Sequence, residues 1–287
     1  MSSQHIGLHV SAAGGVENAP ENAKAMGAEC FQFFSRSPRG GNAAPISDES
    51  AKLFRERSEA YGFESYIHTP YYINFASKNP KIFQGSSNAV REELQRGTKL
   101  GVKYVVTHMG SAKDHITDKK STEVPQSAIT QAIDGLKKIF ETDEQFTTQL
   151  LLEISAGAGA VLGDSFEELA QLLDGLGRDD VHICLDTCHM FASGYDVRTK
   201  ETVEETMKQF RTVLGADKLK LVHLNDSKTE FNAHKDRHEH IGMGEIGKKG
   251  LGELMKHPDF AHVNFILETQ HDEFIQKDLE FLKKNRV

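Results

Sequence analysis

The chain has 287 residues, with 34 Lys+Arg against 42 Asp+Glu for a net charge of −8, and a mean hydropathy of −0.47. No run of about 18 apolar residues occurs, which excludes a membrane-spanning helix, and Met1–Val10 lacks the basic-then-apolar pattern of a secretory signal. Three cysteines (Cys30, Cys184, Cys188) are too few for a disulfide framework and fit a reducing cytoplasm, the location expected here. The acidic balance argues against a passive nucleic-acid coat, since phosphate binding normally leaves a basic footprint.

Short β-rich runs alternate with helix-length segments eight times. The predicted strands are His5–Ser11, Cys30–Ser35, Ser65–Thr69, Lys103–His108, Gln149–Ser155, Val181–Thr187, Leu219–Asp226 and Asn264–Thr269. Most are dense in Val, Ile, Leu and Phe rather than alternating, as parallel strands covered on both faces are. Ile129, Ala132, Ile133, Leu136, Ile139 and Phe140 form an apolar stripe at helical spacing. Ser165–Glu168 reads as a capping box opening a helix that carries Phe166, Leu169, Leu172 and Leu173. Val203, Met207, Phe210 and Leu214 make another stripe, closed by Gly215, while Gly62 and Gly101 close two earlier helices.

Eight strand–helix units predict a single α/β domain spanning 1–287, a (β/α)8 TIM barrel with its active site at the C-terminal face of the strands. An open doubly wound sheet is disfavoured, because no Gly-x-Gly-x-x-Gly follows a strand. The most irregular stretches, 36–47, 78–87, 110–125 and 227–247, all follow strands, on the side where barrel loops build sites.

Ligand-type residues recur where those strands end. His68 closes the third, His108 the fourth, Glu153 the fifth and Asp186 the sixth, with His189 just beyond. His223 lies near the end of the seventh and Glu268 near the end of the eighth. The loop after the seventh adds Asp236 and His238, whose side chains point the same way in an extended segment. Singly, each has an ordinary explanation as a packing, turn or capping residue. As a set they do not, because four carboxylates crowded together without cations repel and are costly to desolvate. His with carboxylate and no thiolate suits zinc, manganese or iron rather than calcium or magnesium. Cys184 and Cys188 lack zinc-ribbon spacing and read as packed thiols. The donors exceed one tetrahedral ion's needs and suffice for two or three, with positions left open for water and substrate.

His68-Thr-Pro-Tyr-Tyr-Ile-Asn74 resembles a motif of the endonuclease IV family, the zinc-dependent apurinic/apyrimidinic (AP) endonucleases. So do Cys184-Leu-Asp-Thr-Cys-His189, running on to Tyr195-Asp196, and Val222-His-Leu-Asn-Asp-Ser-Lys228, followed by Asp236-Arg-His238 and Gly242-Met-Gly244. Gly7-Leu-His-Val-Ser-Ala-Ala-Gly-Gly15 is similar to the family's N-terminus. The resemblance implies three Zn²⁺ per chain, although Mn²⁺ or Fe suits the same donors. By similarity, His68 and His108 hold the first ion and Glu153 bridges it to the second. Asp186, His223 and Glu268 complete the second, and His189, Asp236 and His238 hold the third. The implied activity is hydrolysis of the phosphodiester 5′ to an abasic site, leaving a 3′-hydroxyl and a 5′-deoxyribose phosphate, together with trimming of blocked 3′ ends. A hydroxide shared by two cations has a much lowered pKa and can attack phosphorus in line. Glu153 and Glu268 are the expected catalytic carboxylates, Glu268 by orienting or deprotonating the water.

The same resemblance implies that Arg39 and Tyr71, from the loops after the second and third strands, enter the gap left by the missing base. Tyr72 is an alternative to Tyr71, and Asn74, Arg237 and His9 are further DNA contacts, with Lys228 a weaker one. Gly40 and Gly41 stand where the family often has Gln and a bulky aromatic, a departure that bears on DNA bending rather than on hydrolysis. Without the resemblance, Arg36 and Arg39 read as solvated loop cations. His115, His234 and His240 read as surface histidines, and His271 carries no positional argument. The expected partner is double-stranded DNA with abasic sites or blocked 3′ ends, bound by a monomer with no membrane and no obligate protein partner. Two alternatives are a sugar isomerase or epimerase using one or two divalent ions on the same barrel, and a protein that binds abasic DNA without cutting it. Four of the acids are expected ligands, so three Zn²⁺ would take the chain from −8 to −2 and the site from −4 to +2.

Overall fold

Eight parallel strands close edge to edge into a barrel: β1 (Ile6–Val10), β2 (Cys30–Phe33), β3 (Glu64–His68), β4 (Tyr104–Thr107), β5 (Gln149–Glu153), β6 (Val181–Asp186), β7 (Leu219–His223) and β10 (Asn264–Leu267). Among the described residues two further strands, β8 (Asp226–Ser227) and β9 (His238–Glu239), form a short antiparallel pair in the excursion after β7. This computed structural model describes residues 4–118, 121 and 123–287. Met1–Ser3, and Lys119, Lys120 and Thr122 of the irregular stretch 110–125, lie outside the described residues. Among the described residues no helix is long and apolar enough to cross a membrane.

The helices α1 (Ala19–Ala25), α2 (Asp48–Tyr61), α3 (Pro80–Leu100), α4 (Gln126–Ile139), α5 (Phe166–Leu176), α7 (Lys200–Val213), α8 (Gly247–Lys256) and α9 (Ile275–Asn285) lie between and after the strands. The apolar stripe on α4 buries Ile129, Ala132, Leu136 and Ile139, and that on α7 buries Val203, Met207 and Phe210. Gly62 and Gly101 end α2 and α3 at φ of 69° and 74°, a left-handed turn that glycine makes without steric cost. The core has two layers. Cys30, Tyr66, Tyr104, Val106, Leu151, Cys184, Leu221 and Ile266 fill the barrel interior. The larger layer lies between strands and helices, where Phe31, Phe33 and Phe54 pack ring against ring.

Three local expectations need correction. The sixth strand stops at Asp186 and Thr187 opens a short helix, α6 (Thr187–Ala192), because Asp186 Oδ1 accepts the His189 N–H at 2.8 Å and caps it. The seventh strand ends at His223 rather than running to Asp226; the Asn225 N–H leaves the ladder for Thr187 Oγ1, 2.9 Å away. At α5, Ser165 accepts from Glu168 N as a capping box requires. The Glu168 carboxylate, however, accepts from Gly163 N at 2.8 Å instead of reaching back to Ser165.

Candidate metal centre

Strand register delivers the donors. Asp186 and His223 face each other across β6 and β7. Glu153 ends β5 fully buried, and imidazoles surround it. Its Oε2 lies 3.1 Å from His68 Nε2 and 3.4 Å from His108 Nε2, and its Oε1 lies 3.0 Å from His223 Nδ1 and 3.4 Å from His189 Nδ1. Glu268, just past β10, places Oε2 3.2 Å from His223 Nδ1. The excursion after β7 carries Asp236 and His238 back over α6, so that His238 Nε2 lies 3.4 Å from both Asp236 Oδ1 and His189 Nε2. All nine ligand-type residues of the sequence analysis thus meet at one mouth. His68, His108 and Glu153 form one group, Glu153, Asp186, His223 and Glu268 a second, and His189, Asp236 and His238 a third. Within each group the donor atoms lie within 4.8 Å of one another. Cys188 stands near Asp186 and His238. Burial, with Asp186 adding to it, pushes its thiol up to about 12, which keeps it protonated.

Hydrogen bonds behind the rings decide which nitrogen faces inward. A carbonyl oxygen only accepts, so His68 Nδ1 donates to Thr69 O at 2.7 Å and His189 Nδ1 donates to Ile154 O at 2.9 Å. The opposite nitrogens face Glu153 from His68, at 3.1 Å, and Asp236 from His189, at 3.4 Å. This is the pattern of histidine ligands whose outer N–H is held by an acceptor. In the third group two imidazole nitrogens and a carboxylate confront one another, an arrangement that needs a shared proton or a cation. Burial alone would raise Glu153 and lower His189. The imidazoles of His108 and His223 instead hold Glu153 well below the usual carboxylate range, and the carboxylates of Asp186 and Asp236 hold His189 well above the usual imidazole range. The donor set fits a bound metal.

Above the donors lies a cavity of about 510 Å³, lined by His9, Phe34, His68, Tyr71, Glu268 and His271 among others. Tyr71 is 71% exposed and meets the Phe34 ring edge-on at 5.4 Å, while its N–H donates to Pro38 O and ties two rim loops together. Tyr72 turns the other way, toward Gly40, and with Arg39 lines a neighbouring cavity of about 660 Å³. Arg39 and Arg237 are exposed. Asn74 uses its Oδ1 to accept the Ala76 and Ser111 N–H groups, which makes it an anchor of its loop. Burial and the neighbouring His68 and His223 push His9 down to about 3, so its ring is neutral.

Arg36 is no solvated cation: its guanidinium pairs with the fully buried Glu93 and with Glu92. His240 is no surface residue either, being buried and bonded through Nδ1 to Asp278 Oδ2 at 2.6 Å. His115 spans Ser127 Oγ and Ala76 O at 3.0 and 2.9 Å. Sequence reasoning missed three buried polar side chains. Gln32 on β2 touches Glu268 and His223, and Asn225 bonds the Asp186 carboxylate and the Glu268 N–H. Asp226 accepts the N–H groups of Gly242, Gly244, Ile246 and Gly247 and so folds the end of the excursion. The one sequence signal for Gln32 is a lone amide in the apolar run Cys30–Phe34.

Fold and site together define a TIM-barrel protein with a multi-group centre of metal-type donors. Residues 20–285 match the model of the family described as "Xylose isomerase-like TIM barrel". A D-tagatose 3-epimerase-like protein shares the fold at a TM-score of 0.73 and 20% identity, over 97% of this chain and 96% of that one. "Probable endonuclease 4" of Carboxydothermus hydrogenoformans is 37% identical over 283 residues, 98% of this chain and 96% of that one. The crystal structure of endonuclease IV from Thermus thermophilus matches with a TM-score of 0.83 at 31% identity, covering 98% of both chains. The chain belongs to the endonuclease IV family.

Proposed function

We propose that the chain is a metal-dependent AP endonuclease that cuts duplex DNA 5′ to an abasic site, leaving a 3′-hydroxyl and a 5′-deoxyribose phosphate, and that also trims blocked 3′ ends. The observation that carries this reading is Glu153, a buried carboxylate shared by two donor groups while a third group stands beside them. His68, His108 and Glu153 would hold one ion, Glu153, Asp186, His223 and Glu268 a second, and His189, Asp236 and His238 a third. Zn²⁺ suits these donors, and Mn²⁺ or Fe is compatible with them. Bound ions would lower the pKa of water to near neutrality and offset the charge of the phosphate.

The chain's own residues supply the rest. Glu153 is held ionised by its imidazoles and is available to both neighbouring groups. Glu268 sits at the cavity wall with one oxygen near His223, where it can orient an entering water and accept its proton. Tyr71 and Arg39 line neighbouring cavities on adjacent rim loops, and would enter an abasic gap, where extrusion of the nucleotide is least costly. Arg237 and His9 are candidate phosphate contacts. Every donor comes from one chain, so a monomer suffices.

A duplex carrying a single tetrahydrofuran abasic analogue should be nicked on its 5′ side by protein holding about three ions per chain. No nicking by zinc-loaded protein overturns the reading, and tight binding without nicking would mark a damage-binding protein. One or two ions with ketose epimerisation would mark a sugar enzyme, which has no use for the third donor group.

A further inference from the structure

The geometry points to Gln32 as a positioning residue of the second donor group, fixing which ring nitrogen of His223 faces the carboxylates and holding the Glu268 carboxylate beside it. Gln32 is fully buried on β2, in register with His9 on one side and Tyr66 on the other. A buried amide is costly unless its hydrogen-bonding groups are satisfied, and here each donor and acceptor has a use. Nε2 donates to Glu268 Oε1 at 2.6 Å, and its second N–H points to His9 Nδ1 at 3.1 Å. Oε1 accepts from His223 Nε2 at 2.8 Å.

The amide cannot be turned round, because that would set its oxygen against a carboxylate oxygen. His223 must therefore carry its proton on Nε2. Its Nδ1 is then directed at Glu153 Oε1 and Glu268 Oε2, 3.0 and 3.2 Å away. His68 and His189 rely on backbone carbonyls for the same service, which no substitution removes. His223 relies on a side chain. The same amide restrains Glu268, whose backbone N–H is held by Asn225 Oδ1 at 2.9 Å. One residue thus aligns a ring and a carboxylate that belong to one candidate ion. Loss of such an outer partner typically lowers metal affinity or activity by about 10- to 100-fold.

This inference rests on the reading of the donor cluster as a metal centre, and the experiment separates the two. Gln32→Met keeps length and volume but removes all three hydrogen bonds. Wild type and variant are titrated with a zinc chelator while bound zinc is counted and nicking of the tetrahydrofuran duplex is followed. Metal-free melting curves control for folding. The expected result is that one zinc equivalent leaves the variant at a chelator level about 10- to 100-fold lower. kcat should fall by a similar factor while KM stays within about threefold. A variant that keeps every equivalent at the wild-type midpoint, with wild-type kcat, overturns the inference and leaves the metal reading standing. Wild type that binds no zinc overturns the metal reading itself. If Gln32→Met does not fold, Gln32→Glu replaces it. Its carboxylate still accepts from His223 Nε2 but repels Glu268, so one zinc equivalent should again leave early; an unchanged midpoint overturns the inference.

Discussion

Replacing Arg36 by Ala should destabilise the protein by about 3 kcal/mol, at the lower end of the range for breaking a buried ion pair by removing one partner. Glu93 is fully buried and accepts from both Arg36 Nε and Ser35 Oγ. The Arg36 contact with the half-exposed Glu92 adds less than about 1 kcal/mol. Without Arg36, Glu93 keeps the Ser35 hydroxyl and the nearby charge of Arg96, which is why the lower figure applies. At about 2.1 cal/mol/K per residue, 287 residues give an unfolding entropy of about 600 cal/mol/K, so the loss corresponds to about 5 °C in Tm. Burial already raises the Glu93 pKa against the pull of Arg36, and deleting Arg36 raises it further. A carboxyl raised in the folded state loses stability as pH climbs from its unfolded value through its folded one, so the deficit should be larger at pH 8 than at pH 5. Calorimetry at both pH values measures it, and Arg36→Ala/Glu93→Gln should recover about half by removing the stranded charge. A single variant that melts within about 1 °C of wild type, or a double variant no better than the single, would refute the reasoning.

Glu268→Gln should reduce nicking at least about 100-fold while binding of the abasic duplex stays measurable in a gel-shift assay; loss of both would indicate a collapsed site instead. Exhaustive chelation should abolish nicking and weaken DNA binding together, whereas full activity in metal-free protein would contradict the mechanism. Arg39→Ala should raise KM for the abasic duplex more than it lowers kcat, and the reverse split would remove Arg39 from lesion binding. Burial pushes Glu168 up to about 7, above its unfolded 4.5, so its contribution to stability declines as pH rises through that interval. Glu168→Gln keeps an acceptor for the Gly163 N–H and should match wild type near pH 5 but melt higher at pH 8, as thermal scans at the two pH values will show.

Strand positions were legible because a parallel strand buried on both faces must be an apolar run, and each of the eight runs departs from its strand only at the ends. The donor residues were legible for the opposite reason: His, Asp and Glu are conspicuous where such runs stop. What local pattern could not show is pairing across the barrel. Arg36 looks like a loop cation until α3 brings Glu93 beneath it, 57 positions later in the chain. Gln32 looks like an oddity until β10 and β7 bring Glu268 and His223 against it, more than 190 positions away. The start of α6 was lost because Asp186 serves two purposes. One oxygen caps the helix while the other, bonded to Asn225, remains in the donor group, and neither use alters the apolar run that precedes it.

The net charge of −8 acquires a local meaning from the same hydrogen bonds. Because His68 and His189 commit their outer N–H groups to backbone carbonyls, their inner nitrogens present lone pairs to carboxylates unless a second proton is bound. A metal-free site must therefore take up protons to satisfy Glu153 and Asp236, and cations entering the site must displace them, so ion binding should release protons. With ions in place, the positive charge that meets a phosphate resides at the barrel mouth rather than in a basic patch. Few exposed Lys or Arg near the cavity are then needed, and an acidic chain can bind DNA. The dependence of binding on salt should accordingly be shallow relative to proteins that grip DNA through many basic side chains.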